Sequence, residues 1–230
     1  MEAIQDAIAG LFHPGWPMEA LKYFLVALIA YLLGSLNFAI IISRAVFKQD
    51  IRTQGSKNAG STNAFRVMGK KWGTVVALGD IAKGAAAVLV GYGLALALNL
   101  TPDMAKLVGG LLAIIGHCFP LYFGFKGGKG VMTTAAVMLF VDTPVALVAL
   151  AVFAVVVVLT RYISLGSMLA ALSLIPASLW LFHRSGGFGI LTVVVALAIV
   201  LLHRKNIGRL LKGQESKVSL KKKKSGEPVA

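Results

Sequence analysis

The sequence predicts an all-α integral membrane protein of seven transmembrane helices, with its N-terminus outside and its C-terminus cytoplasmic. Three observations carry this. The 230-residue chain is 57% apolar with a mean hydropathy of +0.81, against roughly 45–50% apolar residues in a soluble domain. Apolar runs near the roughly 20 residues that a bilayer helix needs recur between short polar breaks. Finally, 19 of the 23 Lys and Arg residues fall in the Arg44–Lys71 segment, the Lys126–Lys129 loop, Arg161 and the C-terminal tail. Cytoplasmic loops carry such an excess, which sets the orientation. Lys22, Lys106 and Arg184 fall on the other side and Lys83 inside a span. The same rule accounts for the net charge of +14, so nucleic acid is not implied as a partner.

Residues 1–18 place Ile4, Ile8, Leu11 and Phe12 at helical spacing around Glu2, Asp6 and His13, the pattern of a short interfacial helix with His13 at headgroup level. No basic n-region or small-residue cleavage site precedes the first long apolar run, so a signal peptide is not read. The first span runs from Leu21 to about Ser43 and carries Gly34-Ser35-Leu36-Asn37 in its second half. Against lipid that cluster is costly, so it faces protein or a wet site; close packing through small residues explains Gly34-Ser35 equally well. The second span covers about Thr74 to Leu98, with Asp80 and Lys83 at i, i+3, either paired on one face or lining a polar site. The third runs from about Met104 to Phe119. Two further spans, Val131–Val141 and Val145–Thr160, are separated by Asp142-Thr143-Pro144. Eleven residues at 1.5 Å each cover about 17 Å, so the former must extend through the preceding loop, be shielded by neighbours or be re-entrant. A sixth span ends near Phe182 and the last covers Phe188–Leu202. Residues 1–212 read as a single transmembrane domain and 213–230 as a basic cytoplasmic tail whose Lys221–Lys224 run is attracted to anionic lipid.

The polar stretches carry the chemistry. Between His117 and Val131 lie an aromatic patch and then Lys126-Gly127-Gly128-Lys129-Gly130. Glycines let backbone N–H groups approach an anion and the lysines add charge, so the loop reads as a phosphate cradle; a basic turn between two helices is the plainer alternative. It is not a nucleotide-hydrolysing P-loop, because Gly130 stands where a Mg²⁺-binding Ser or Thr is needed. Upstream, in DIRTQGSKNAGSTNAFRVMGKK, Gly55 and Gly60 flank Asn58 while Ser56, Ser61, Thr62 and Asn63 crowd the same turn, with Arg52, Lys57 and Arg66 nearby. That is the composition of a loop binding anions and hydroxyls. Ser164 and the His203–Asn206 segment fall on the same face, so one cytoplasmic-side site accounts for all four regions. The lone Cys118 is a packing residue that permits no internal disulfide, and no His/Cys cluster has metal-site spacing; neither metal, cofactor nor obligate protein partner is implied. A transporter of an organic phosphate is the competing class. It predicts internal repeats and polar groups near the midplane, which the pattern lacks.

Over nearly its whole length the chain resembles the bacterial acyl-phosphate:glycerol-3-phosphate acyltransferases, the PlsY family. The resemblance rests on Gly34-Ser35, Arg52 with Gly55 to Asn63, the stretch GHCFPLYFGFKGGKGV, and His203-Arg204-Lys205-Asn206 with Gln214-Glu215. Asn37, Lys57 and Ser61 depart from it, standing where many members have proline, glycine and alanine. The resemblance implies a seven-helix enzyme of the bacterial cytoplasmic membrane, active on the cytoplasmic side. It would move a fatty acyl group from acyl phosphate to the 1-hydroxyl of glycerol 3-phosphate, yielding lysophosphatidate and phosphate. It further implies Ser35, Arg52, His203 and Asn206 as catalytic residues, the Lys126-Gly127-Gly128-Lys129 loop as the glycerol-phosphate site and Glu215 as structural. Asn58, Thr62, Asn63, Lys83, His117 and Ser164 complete the expected substrate-binding set. An acyl phosphate is already activated, so the site needs charge for two phosphates and alignment of an alcohol rather than a metal. For His203 two roles stand: positioning residue, or general base.

Overall fold

The computed structural model describes residues 16–184 and 186–218. His13, most of the expected interfacial helix and the Lys221–Lys224 run lie outside the described residues. The helices are α1 (Trp16–Gly34), α2 (Phe38–Phe47), α3 (Ser61–Leu98), α4 (Pro102–Cys118), α5 (Val131–Val141), α6 (Thr143–Thr160), α7 (Ile163–Pro176), α8 (Gly186–Leu202) and α9 (Arg204–Leu211). A π-helical turn, Ala177–Leu181, continues α7, and short 3₁₀ turns lie at Ile51–Thr53 and Leu121–Phe123.

Among the described residues, five helical stretches are long and apolar enough to cross a bilayer, and a sixth if α8 and α9 are taken together across their 56° bend. The eleven-residue α5 is shorter than a span; it is shielded by neighbours, packing on α3, α4 and α6 and burying Thr133, Thr134, Ala136, Val137 and Met138. Val158 and Leu159 on α6 are 70% and 77% exposed, which in water would be an open apolar patch and in a bilayer is the lipid-facing surface. The principal core joins Val88, Ile114, Val137, Met138, Val145, Leu174, Leu191, Val195 and Ile199 from α3 to α8. A smaller one gathers Ile40, Ile51, Ala59, Ala64, Met68 and Val76 under the polar loop.

Two boundaries differ from the sequence-based expectation. The first span is not continuous: α1 stops at Gly34, and Asn37 starts α2 by accepting Ile40 N–H on Oδ1 at 3.1 Å. Its Nδ2 donates to Ala59 O at 3.2 Å, so a buried amide is satisfied from two sides and the helix breaks around it. Gly34 serves close packing as well. A Cβ there would sit 2.2 Å from Ala113 O, so α1 and α4 touch backbone to backbone. The second difference is that α3 reaches back to Ser61, through a break at Gly69 where φ is 79°. Hydrophobic Ala64 and Met68 lie buried against the smaller core, which makes helical a stretch whose composition reads as loop.

Candidate active site

Each polar segment is held by a specific side chain. Asn63, 1% exposed, organises the loop before α3: its Oδ1 accepts Ser56 N–H at 2.9 Å, and its Nδ2 faces the carbonyls of Ile51, Gln54 and Asn58 at 3.0–3.2 Å. Lys57 takes the left-handed region there, with φ at 58°. Arg52 bridges this loop to the glycine loop. Its Nε and Nη2 pair with the Asp50 carboxylate at 3.0 and 2.8 Å, and its Nη1 donates to Phe123 O at 2.8 Å and Lys126 O at 3.1 Å. The Arg52 hydrogen bonds hold the Asp50 carboxyl well below the usual range, and Asp50 raises Arg52 in return. Ser35 braces the same loop from below, donating to Tyr31 O at 2.8 Å and accepting Leu121 N–H at 3.3 Å.

The glycine loop folds back onto the end of α4: Gly127 N donates to Cys118 O at 3.1 Å and Gly128 N to His117 O at 3.2 Å. Gly128 is required by space, since a Cβ would lie 2.2 Å from His117 Nε2 and 2.5 Å from Ala59 O. His117 in turn contacts Lys83 Nζ at 2.8 Å through Nδ1, and Lys83 lies 2.9 Å from Asp80 Oδ1.

Beyond α8 the chain turns at His203, whose Nδ1 is 2.8 Å from Ile199 O. A carbonyl only accepts, so Nδ1 carries the proton and Nε2 keeps its lone pair. Burial, and then the charge of Lys129, lower the His203 pKa to about 4, so the imidazole is neutral at physiological pH. Asn206 Oδ1 accepts from Lys129 Nζ, while its Nδ2 donates to Glu215 Oε1 at 2.6 Å. Ser164 Oγ donates to the same oxygen at 2.7 Å, and Arg209 Nε pairs with Oε2 at 2.6 Å. Burial alone would raise the Glu215 carboxyl; these three donors outweigh it and hold it low. Past Glu215, Val218 N donates to Arg161 O at 2.9 Å, so residues 213–218 form a strap across the start of α7.

These segments enclose a cleft of about 340 Å³ lined by Ser56, Lys57, Asn58, Cys118, Phe125, the Lys126–Lys129 loop, Leu202, Arg204, Lys205, Asn206 and Arg209. Its walls bring six cationic side chains together without a carboxylate, which is the electrostatics of a polyanion site. Burial, reinforced by Arg209 and Arg66 and opposed by Glu215, brings Lys129 down to about 8. A larger apolar groove of about 670 Å³ lies at the other end of α8, beside His183 and Arg184, and gathers no such charge.

Of the residues expected from the sequence, Asn58, Lys126, Gly127, Gly128, Lys129 and Asn206 line the cleft. Ser35, Arg52, Asn63, Lys83, His117, Ser164 and His203 stand behind its walls, engaged with protein partners, and Thr62 sits on the first turn of α3. Arg204, Lys205 and Arg209 line the cleft as well and are not among the site residues expected from the sequence; apart from the place of Arg204 and Lys205 in the His203–Asn206 motif, their local signal is positive charge, which topology charges share.

Fold and cleft together define an all-helical integral membrane protein whose polar loops converge on one cationic site. The glycerol-3-phosphate acyltransferase family model matches residues 24–213. Among curated relatives, glycerol-3-phosphate acyltransferase 2 of Bacillus anthracis is 42% identical over 194 residues, covering 84% of this chain and 98% of that one. The glycerol-3-phosphate acyltransferase of Clostridioides difficile (strain 630) is 38% identical over 205 residues, covering 89% and 100%. Among solved structures, the glycerol 3-phosphate form of PlsY, an integral membrane glycerol 3-phosphate acyltransferase, superposes with a TM-score of 0.77 at 34% identity over 86% of this chain and 96% of that one. Its lysophosphatidic acid form gives 0.74 at 33% identity, over 86% and 95%. The chain belongs to the glycerol-3-phosphate acyltransferase family, in its PlsY branch.

Proposed function

We propose that this chain transfers a fatty acyl group from acyl phosphate to the sn-1 hydroxyl of glycerol 3-phosphate, releasing lysophosphatidate and inorganic phosphate. The observation that carries the reading is the cleft itself: six cations and no carboxylate around Gly127 and Gly128, in a chain of this family. Two phosphates are present in the ternary complex, and the charge suits both. In this reading Lys126, Lys129 and the loop amides hold the glycerol 3-phosphate, while Arg204, Lys205 and Arg209 face the donor phosphate. Ser35, Arg52 and Asn63 act by fixing the loops that carry these groups.

The step is a single displacement. The alcohol oxygen forms a bond to the acyl carbon, the acyl carbon–oxygen bond to phosphate breaks with its electron pair leaving on phosphate, and the alcohol proton passes to a phosphate oxygen. His203 suits positioning better than proton abstraction, because an imidazole lowered to about 4 is a weak base. It positions by tying the turn into α9, which carries Asn206, to Ile199 O through Nδ1. Neither Ser35 nor Cys118 is a well-activated nucleophile: Ser35 Oγ already donates to Tyr31 O, and Cys118 is buried. An acyl-enzyme would also be less reactive than the donor it replaced. The acyl chain lies between helices, partly in lipid.

The topology in this reading is seven membrane-embedded segments, N-terminus outside and C-terminus cytoplasmic, in the bacterial inner membrane with the cleft on the cytoplasmic side. Support comes from the cation distribution and from the polar groups gathering at one end rather than along a path. Purified protein is assayed with acyl phosphate, acyl-CoA and acyl carrier protein thioester as donors; activity is expected with acyl phosphate only, and equal use of a thioester would overturn the donor assignment. Acid quench after incubation with labelled acyl phosphate alone is expected to leave the chain unlabelled. Label that chases to lysophosphatidate at a competent rate would replace single displacement by a covalent route.

A further inference from the structure

Beneath the cleft a buried cluster of three ionisable side chains takes no part in the transfer step as derived above. Asp80 and Lys83 on α3 and His117 on α4 are 1%, 4% and 3% exposed. Lys83 Nζ lies 2.9 Å from Asp80 Oδ1, 2.8 Å from His117 Nδ1 and 2.9 Å from Leu36 O, to which it donates. An ammonium has three N–H groups and no lone pair, so at 2.8 Å Nδ1 must accept. The imidazole proton is therefore on Nε2. Asp80 Oδ1 stands 3.4 Å from Nδ1 and takes no aligned N–H from it. Asp80 Oδ1 accepts no aligned N–H, so its hold on Lys83 is ionic: it supplies the counter-charge without which a buried ammonium is costly.

The cluster points at the loop that carries the anion site. A Cβ on Gly128 would lie 2.2 Å from His117 Nε2, so that nitrogen abuts the Gly127-Gly128 turn. The other arm of Lys83 holds Leu36, the neighbour of Ser35, which receives Leu121 N–H at the loop's beginning. We propose that Asp80 is a positioning residue for acyl transfer: through Lys83 it fixes His117 in the Nε2–H form and thereby seats the Lys126–Lys129 loop for glycerol 3-phosphate. The proposal rests on the reading of this cleft as the glycerol 3-phosphate site, and the two are tested separately.

The first measurement needs no substrate. In the full chain with ring-¹⁵N histidine, the His117 signals, identified as those missing from His117→Gln, are expected to show a protonated Nε2 and an unprotonated Nδ1. A proton on Nδ1 overturns the proposal whatever the enzyme acts on. The second is kinetic. Asp80→Asn alone strands Lys83, so the paired neutral variant Asp80→Asn/Lys83→Met is used. Its thermal unfolding should stay within a few degrees of the parent, while KM for glycerol 3-phosphate rises about tenfold, the scale of a displaced binding loop, with KM for acyl phosphate unchanged. Parental KM values, or an equal rise for both substrates, overturn positioning. Should the pair fail to fold, the tautomer decides alone; should the parent not use glycerol 3-phosphate, the functional reading fails and the tautomer still decides the internal linkage.

Discussion

Lys129 gives the cleft a pH dependence that can be worked from its surroundings. In the proposed reading it is the charged form that binds phosphate, and burial beside Arg209 and Arg66 lowers the group to about 8. The sign follows: a lysine brought down toward neutrality is charged below that pH and loses its charge above it. About 90% of the free enzyme carries the charge at pH 7 and about 10% at pH 9. Losing one charge-assisted hydrogen bond to phosphate costs about 1.5–3 kcal/mol, or roughly ten- to a hundredfold in affinity. Combining the two, kcat/KM for glycerol 3-phosphate should fall about five- to tenfold between pH 7 and pH 9. The substrate's second phosphate proton, with a pKa of about 6, and His203, at about 4, have both titrated below this window. The assay is initial-rate kinetics at saturating acyl phosphate across the range, on the parent and on Lys129→Arg, whose guanidinium stays charged throughout. A profile flat from pH 7 to 9, or the same decline in Lys129→Arg, would refute the argument.

Three further outcomes follow from named contacts. Arg52→Lys should lose most activity, because an ammonium cannot keep the Asp50 carboxylate and the carbonyls of Phe123 and Lys126 at once; full activity in that variant would reduce Arg52 to a topology charge. Gly128→Ala forces a methyl against Ala59 O and His117, costing about 1–3 kcal/mol of stability and raising KM for glycerol 3-phosphate, read by thermal unfolding and kinetics; unchanged values for both would mean the loop yields. Glu215→Gln removes the charge that collects Ser164, Asn206 and Arg209, so about 1.5–3 kcal/mol of stability and a large part of kcat should go together, and a stable variant with parental kcat would show that the strap does not hold Asn206.

Much of this protein is legible along the chain. Hydropathy and cation placement suffice for its class, because a helix in lipid must be apolar over its whole length whatever it packs against. Asp80 and Lys83 pair as i, i+3 neighbours, a geometry set by the helix itself. The basic, glycine-rich character of Lys126–Lys129, which the cleft wall displays, follows from residue type alone. Tertiary structure decided what depends on partners far away in sequence. The break at Ser35–Asn37 exists because Asn37 meets Ala59 and Ser35 meets Leu121. Lys83 reaches His117 across 34 residues, and Arg52 clamps Lys126 across 74. No local period encodes such contacts. Nor does a pattern separate the cations of the cleft from those that orient the chain, since Arg204, Lys205 and Arg209 become site residues only when α9 bends 56° from α8 and turns them toward the glycine loop. Inside a bilayer lipid-facing and protein-facing positions are both apolar, so the side of each helix that packs is written in shape and in rare polar contacts, which only the folded chain brings together.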